Sequence, residues 1–274
     1  MFCTRLILGL SAILAVTPIQ GSFAPQGRMT GGSSVETLRR FPHQILITDY
    51  NKNRYSDYES ETSFCGGSVV SERWVLTAAS CCRKFDVMEI SFQRLFLNKT
   101  NGSYSAVVNR DAVHEYPTQY DDIALIEIPF LLIFTDTVQP VELYSGSNIA
   151  AGQFVVLPGY DNSSFYGEGI TMSPAFNSDA QMVYGMFSIS SIEACKNALG
   201  KDFDEYLQYC TQPWSNTRNS PSSLDIGSGL LIGWPARPQL VGIYTGSFNL
   251  YNVDLFMNVQ KYLVWIRGVI NKEV

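Results

Sequence analysis

Residues 65–82 read CGGSVVSERWVLTAASCC, and the reading of this stretch decides the fold of everything around it. It holds Cys65, Cys81 and Cys82 around a short apolar run, Trp74-Val75-Leu76. Comparable runs recur at Ala106–Val108, Ile123–Ile128, Gln153–Leu157, Met182–Ile189, Leu230–Ile232 and Leu240–Tyr244, bounded by Gly, Asn, Asp, Ser and Pro. Short apolar segments separated by turn residues indicate an all-β sandwich or barrel, and periodicity alone does not choose between them. The end of the chain reads differently. Val259, Leu263, Ile266 and Ile270 recur at helical spacing and predict a C-terminal helix over 259–271.

A chain of 274 residues, 46% of them hydrophobic, can bury one or two sizeable cores. Only 16% are charged, the net charge is −6, and no basic run is present, which argues against a nucleic-acid partner. Residues 1–24 open with Arg5 followed by LILGLSAILAV, the pattern of a secretory signal cleaved after Gly21 or Ala24. The competing reading, a membrane anchor, needs about 18 to 20 uninterrupted apolar residues. No membrane span is expected, because the later run IALIEIPFLLIF carries Glu127 and Pro129 and reads as a core strand.

Loss of Cys3 with the leader leaves Cys65, Cys81, Cys82, Cys195 and Cys210. An oxidising compartment favours disulfides among them, and the odd number leaves one thiol unpaired or linked to a partner. Metal ligation is the competing reading. The adjacent pair Cys81-Cys82 lacks ligand spacing and the two histidines, His43 and His114, lie elsewhere. No metal and no cofactor are expected. Acceptors of the Asn-x-Ser/Thr type begin at Asn98, Asn101 and Asn162.

The 65–82 stretch resembles the first catalytic block of the trypsin/chymotrypsin family of secreted serine peptidases. There a Cys-Gly-Gly-Ser strand start leads through Trp-Val-Leu-Thr-Ala-Ala to the catalytic histidine and a cysteine. Here Ser80 holds the histidine's position. Asp121-Asp122-Ile123-Ala124-Leu125 resembles the family's Asp-Ile-Ala-Leu block and places Asp122 at the catalytic aspartate, at a typical distance from Ser80. Leu224-Asp225-Ile226-Gly227-Ser228-Gly229 resembles Gly-Asp-Ser-Gly-Gly-Pro. This register puts Ile226 at the nucleophile and Leu224 where a glycine normally frees an oxyanion donor. A second register makes Ser228 the nucleophile at the expense of Asp225. His43 and His114 are read as structural.

The resemblance covers about residues 29–270 and implies two packed six-stranded Greek-key barrels, about 29–140 and 141–258, joined near Thr135–Tyr144. It implies disulfides Cys65–Cys81 and Cys195–Cys210, with Cys82 left over, either buried and inert or bridging to another chain. It places Ser220 near the floor of the specificity pocket, and Thr245-Gly246-Ser247 replaces the pocket's usual Ser-Trp-Gly wall. Residues 25–28 form a short propeptide, and Arg28-Met29-Thr30-Gly31-Gly32 resembles the activation junction, where a freed terminus pairs with Asp225. Arg28 as a plain linker arginine is the alternative.

Serine-peptidase chemistry needs a hydroxyl nucleophile, an imidazole base, an orienting carboxylate and oxyanion donors. Ser80 has no basic state near neutral pH and cannot replace the imidazole. The expected function is therefore a secreted serine-protease homologue without proteolytic activity, which binds extracellular proteins such as peptidases or inhibitors as a regulator or adaptor. An active endopeptidase with an atypical catalytic site is the alternative, and a structural glycoprotein a third. The activation reading predicts Met29 as the N-terminal residue found by mass spectrometry of the secreted chain. A mature terminus elsewhere removes the pairing with Asp225.

Overall fold

The computed structural model describes residues 32–50, 64–97, 102–118, 120–160, 180–215, 217, 219–222, 224–248 and 253–271. The leader, Arg28, Met29 and the acceptors Asn98, Asn101 and Asn162 lie outside these residues. In chain order the first half contains β1 (Ser33–Ser34), β2 (Gln44–Asp49), β3 (Phe64–Val69), β4 (Trp74–Thr77), α1 (Ala79–Arg83), β5 (Val87–Phe92), β6 (Tyr104–Asn109), β7 (Val113–Glu115) and β8 (Ala124–Glu127). The second contains β9 (Glu142–Leu143), β10 (Phe154–Tyr160), β11 (Met182–Ile189), α2 (Ile192–Leu199), β12 (Gln208–Pro213), β13 (Gly229–Ile232), β14 (Gln239–Phe248), β15 (Val253–Asn258) and α3 (Leu263–Ile270).

The architecture is two barrel-like sheets and a C-terminal helix. The first sheet has the order β6-β5-β2-β3-β4-β8-β7 and forms a half-barrel. The second runs β11-β10-β13-β14-β15-β12 and closes into a six-stranded barrel where β12 pairs with β11, with β1 added beside β11 and β9 beside β14. Alternation explains single strands: in β6, Ala106 and Val108 are buried while Val107 and Asn109 face outward. The expected segment Met182–Ile189 is β11 itself. The helical stripe also holds, but its first turn, Val259–Tyr262, is a 3-10 turn with Asn258 accepting from Gln260 N, and the α-helix begins at Leu263.

Both expected bridges are present, Cys65–Cys81 and Cys195–Cys210. The first ties α1 to β3 and the second ties α2 to β12. Each closes a loop of 16 or 15 residues, worth roughly 3 kcal/mol in the chain-entropy picture. Cys82 is unpaired and buried.

The connection between barrels is hydrogen-bonded to both. Val141 N donates to Val69 O at 2.9 Å and Tyr144 N to Leu240 O at 3.0 Å. The closest approach lies elsewhere, where β3 meets the 224–229 turn. Gly66 N donates to Ile226 O at 2.8 Å, and Gln44 Nε2 donates to Ser228 Oγ at 3.1 Å. A Cβ on Gly66 would collide with Ser228 Oγ and lie 3.0 Å from Ser228 Cα. Gly227, at φ +90, would drive a Cβ into Gly66 O and Thr77 Oγ1. Glycine at both positions is therefore a packing requirement. Gly66→Ala is expected to destabilise the fold by about 3 kcal/mol or more in denaturant titration, and Ser228→Gly in the same chain to restore part of the loss. Unchanged stability of Gly66→Ala contradicts this account of the seam.

Candidate active site

Ser80 lies in the first turn of α1, and Asp122 lies in the loop entering β8. The β4–β8 ladder, with Thr77 opposite Ala124, brings these two loops together. Ser80 N donates to Asp122 Oδ1 at 2.6 Å, and Ser80 Oγ donates to Asp122 Oδ2 at 2.9 Å. The carboxylate thus has a donor on each oxygen, both from one residue. This is a closed pair: the serine hydroxyl donates to the carboxylate that the family resemblance places at the imidazole-orienting position.

Neither histidine is hydrogen-bonded to Ser80 or Asp122. His43 is 2% exposed, lies edge-on to Phe41, and burial pushes its imidazole pKa down to about 4. His114 packs edge-on against Trp74, with ring centres 5.1 Å apart. Both sit where a structural role was expected.

The turn opposite carries Leu224, Asp225 and Ile226. Ile226 is half-buried and packs against apolar residues of both sheets. Leu224 N, the donor placed at the oxyanion position, donates to Ser222 Oγ at 3.2 Å. Asp225 is 1% exposed; its Oδ1 accepts from Tyr160 N at 3.2 Å, and its Oδ2 accepts from Ser222 N at 2.9 Å and Ser222 Oγ at 3.1 Å. Ser222 therefore holds the turn by serving both neighbours. Ser228, the alternative nucleophile, is 1% exposed and its hydroxyl accepts from Gln44. A buried hydroxyl under β2 and β3 offers no approach for a peptide carbonyl.

The three residues placed around the specificity pocket make short local contacts. Ser220 Oγ reaches Pro221 O at 3.5 Å, Thr245 Oγ1 donates to Leu255 O at 3.1 Å, and Ser247 Oγ lies 2.6 Å from Asp254 Oδ1. Two groups missed in the sequence complete this region. Tyr244 is fully buried against Phe256, and its hydroxyl meets Ser247 Oγ at 2.5 Å. Asp254 is 4% exposed. Desolvation, reinforced by the charge of Asp225 and opposed by the Ser247 hydrogen bond, pushes its carboxyl pKa up to about 7. The available signal was an aspartate inside the apolar run Val253–Met257.

Cys82, the leftover thiol, is 1% exposed, and burial pushes its pKa up to about 12. It is a neutral core group, not a nucleophile. No cluster of metal-ligating side chains occurs among the described residues.

A family model described as Trypsin matches residues 30–266. The chain is 25% identical to "Serine protease SP24D" of Anopheles gambiae over 257 residues, covering 90% of this chain and 83% of that one. It is 28% identical to "Trypsin delta" of Drosophila melanogaster over 188 residues, covering 64% and 70%. Among solved structures, the scabies mite inactivated protease paralogue S-I1 superposes with a TM-score of 0.67 at 23% identity, covering 88% of this chain and 99% of that one.

The buried Asp254 gives a pH-dependent stability with a definite sign. Its pKa is raised on folding, so its contribution is full below about pH 4 and is lost as pH rises through about 7. Asp254→Asn is expected to be more stable than the parent at pH 8, by up to roughly 4 kcal/mol, and nearly equal to it at pH 4 in thermal unfolding. Identical pH profiles for the two proteins would contradict this.

Proposed function

Because this chain belongs to the trypsin family of serine peptidases, we propose that it is a secreted homologue that no longer cleaves peptides and acts by binding extracellular proteins, as a regulator or adaptor. The observation that carries the reading is the Ser80–Asp122 pair. Peptide cleavage by this family's route begins when a base removes the nucleophile's proton. At the base position stands a hydroxyl already donating to Asp122, and at the nucleophile position stands the hydrocarbon of Ile226. A hydroxyl with no basic form near neutral pH cannot perform the first step. Loss of triad groups costs roughly 10⁴- to 10⁶-fold in rate.

Two further features support the same direction. The Leu224 amide, one of the donors that the family resemblance places at the oxyanion position, is engaged by Ser222. Tyr244, Ser247 and Asp254 hydrogen-bond to one another at the pocket wall, so these polar groups are already engaged. The fold itself is compatible with such a state, since the scabies mite paralogue of the same fold is described as inactivated. Secretion is supported by the signal-like residues 1–24, the two disulfides and the enzymes' family. Among the described residues no helix is long and apolar enough to cross a membrane. The exposed surface, and not the cleft chemistry, then carries the function.

Incubation of the secreted protein with a serine-directed fluorophosphonate is expected to give no covalent label, and a peptide library to remain uncut. Labelling of any serine, accompanied by cleavage, would sink the proposal and assign the chain to the active members of its family.

A further inference from the structure

Past the far end of β8 from Asp122, the chain runs Ile128-Pro129-Phe130-Leu131-Leu132-Ile133-Phe134. Eleven large apolar side chains stand exposed among the described residues, and six of them gather here: Tyr104, Val107, Phe130, Leu131, Ile133 and Phe134. Leu131 is 62% exposed and Ile133 is 80% exposed. A cluster of exposed apolar side chains of this kind is what a contact site presents.

The ledge is rigidly held. Ile128 N donates to Arg73 O at 2.7 Å and Leu132 N to Glu72 O at 2.8 Å, while Thr135 and Val138 exchange backbone hydrogen bonds. Leu132 is the anchor: it is 4% exposed, and its inward side chain turns its neighbours Leu131 and Ile133 to solvent. Phe130 meets Tyr104 at 6.5 Å, and Tyr104 stacks on buried Phe92 at 5.0 Å, joining the ledge to β6. Between them lies a shallow groove lined by Val107, Asp111, Ala112, Glu127 and Pro129. A rigid apolar surface costs little ordering entropy when it binds.

Among the described residues the surrounding charges are predominantly acidic. Glu72, Glu89, Asp111 and Glu127 border the surface. Arg73 is paired with Glu127 at 2.6 Å, and Arg110 is turned toward Glu115 at 4.0 Å. Among the described residues Glu72 and Asp111 have no ion-pair partner. A second copy of the chain would set acid against acid, and an anionic lipid surface would meet the same sign. A complementary partner therefore combines apolar and basic side chains.

We propose that the Phe130–Phe134 ledge and the adjoining face of β6 form a docking surface for an extended segment of another protein, one that brings apolar side chains flanked by lysine or arginine. It gives a location to the binding role proposed above and rests on that reading, yet it is independent of the fluorophosphonate result, because it involves no residue of the cleft. The test presents the full secreted protein with an array of 12-residue peptides alternating Leu, Ile, Phe or Val with Lys or Arg, and with matched arrays carrying Asp or Glu. The basic set is expected to bind at least roughly tenfold more tightly than the acidic set. The double variant Leu131→Ser, Ile133→Ser is expected to lose that binding with unchanged thermal unfolding, and Glu72→Lys with Asp111→Lys to reverse the charge preference. Equal binding of both sets, or retention of binding by the apolar variant, overturns the proposal. So does a concentration-dependent dimer in sedimentation that the apolar variant abolishes, or phosphatidylcholine-vesicle binding that it abolishes. These outcomes assign the surface to a second copy or to lipid.

Discussion

Between Gly66 and Ile226 the two barrels meet backbone to backbone, with a 2.8 Å hydrogen bond and no room for a side chain. The packing of the two sheets depends on glycine at this contact. It fixes the height of β3 against the 224–229 turn, and Gly227 at positive φ lets that turn pass over Gly66 and Thr77. The Cys65–Cys81 bridge sits beside it: Cys81 Sγ lies 3.3 Å from Ile226 O. The loop bearing Ser80 and the turn bearing Ile226 are therefore held face to face by covalent and steric constraints unrelated to catalysis.

That independence explains how the scaffold accommodates its altered cleft. Asp122, once placed by the β4–β8 ladder, is a partly buried carboxylate that needs donors whether or not it serves an imidazole. Ser80 supplies two and satisfies it locally. Asp225, 1% exposed, is met by Tyr160 N and by Ser222. Ser80, Asp122 and Asp225 are each part of a closed hydrogen-bonded set, and Ile226 is packed among apolar side chains. These pairings keep the interior polar groups satisfied.

The all-β class and the C-terminal helix were legible in the residues themselves, whereas the two-barrel architecture and the disulfide pairing came from the resemblance of residues 65–82 and 121–125 to the trypsin/chymotrypsin family. The short strands between turn residues left sandwich and barrel open, while the stripe from Val259 to Ile270 has few alternatives. Two features were not legible. Tyr244 and Asp254 lie on neighbouring strands β14 and β15, and their meeting through Ser247 depends on register across a ladder shift between Tyr244 and Gly246. The run IALIEIPFLLIF reads as one core strand, but β8 ends at Glu127, and Leu132 is turned inward between two exposed neighbours. Pro129 and the backbone hydrogen bonds to residues 72 and 73 end the strand there, and hydrophobicity alone cannot show which side of the surface a residue faces.

The central claim is that the cleft differs from a working peptidase at base, nucleophile, oxyanion donor and pocket together. The most direct measurement is kcat/KM of the double variant Ser80→His, Ile226→Ser on a panel of chromogenic peptides with basic, aromatic and small side chains before the scissile bond. The account predicts hydrolysis within roughly tenfold of the parent's background, because Leu224 N remains held by Ser222 and Tyr244 still fills the pocket wall. A gain of about 10⁴-fold over the parent would contradict it, by showing that two side chains alone separate this cleft from an enzyme.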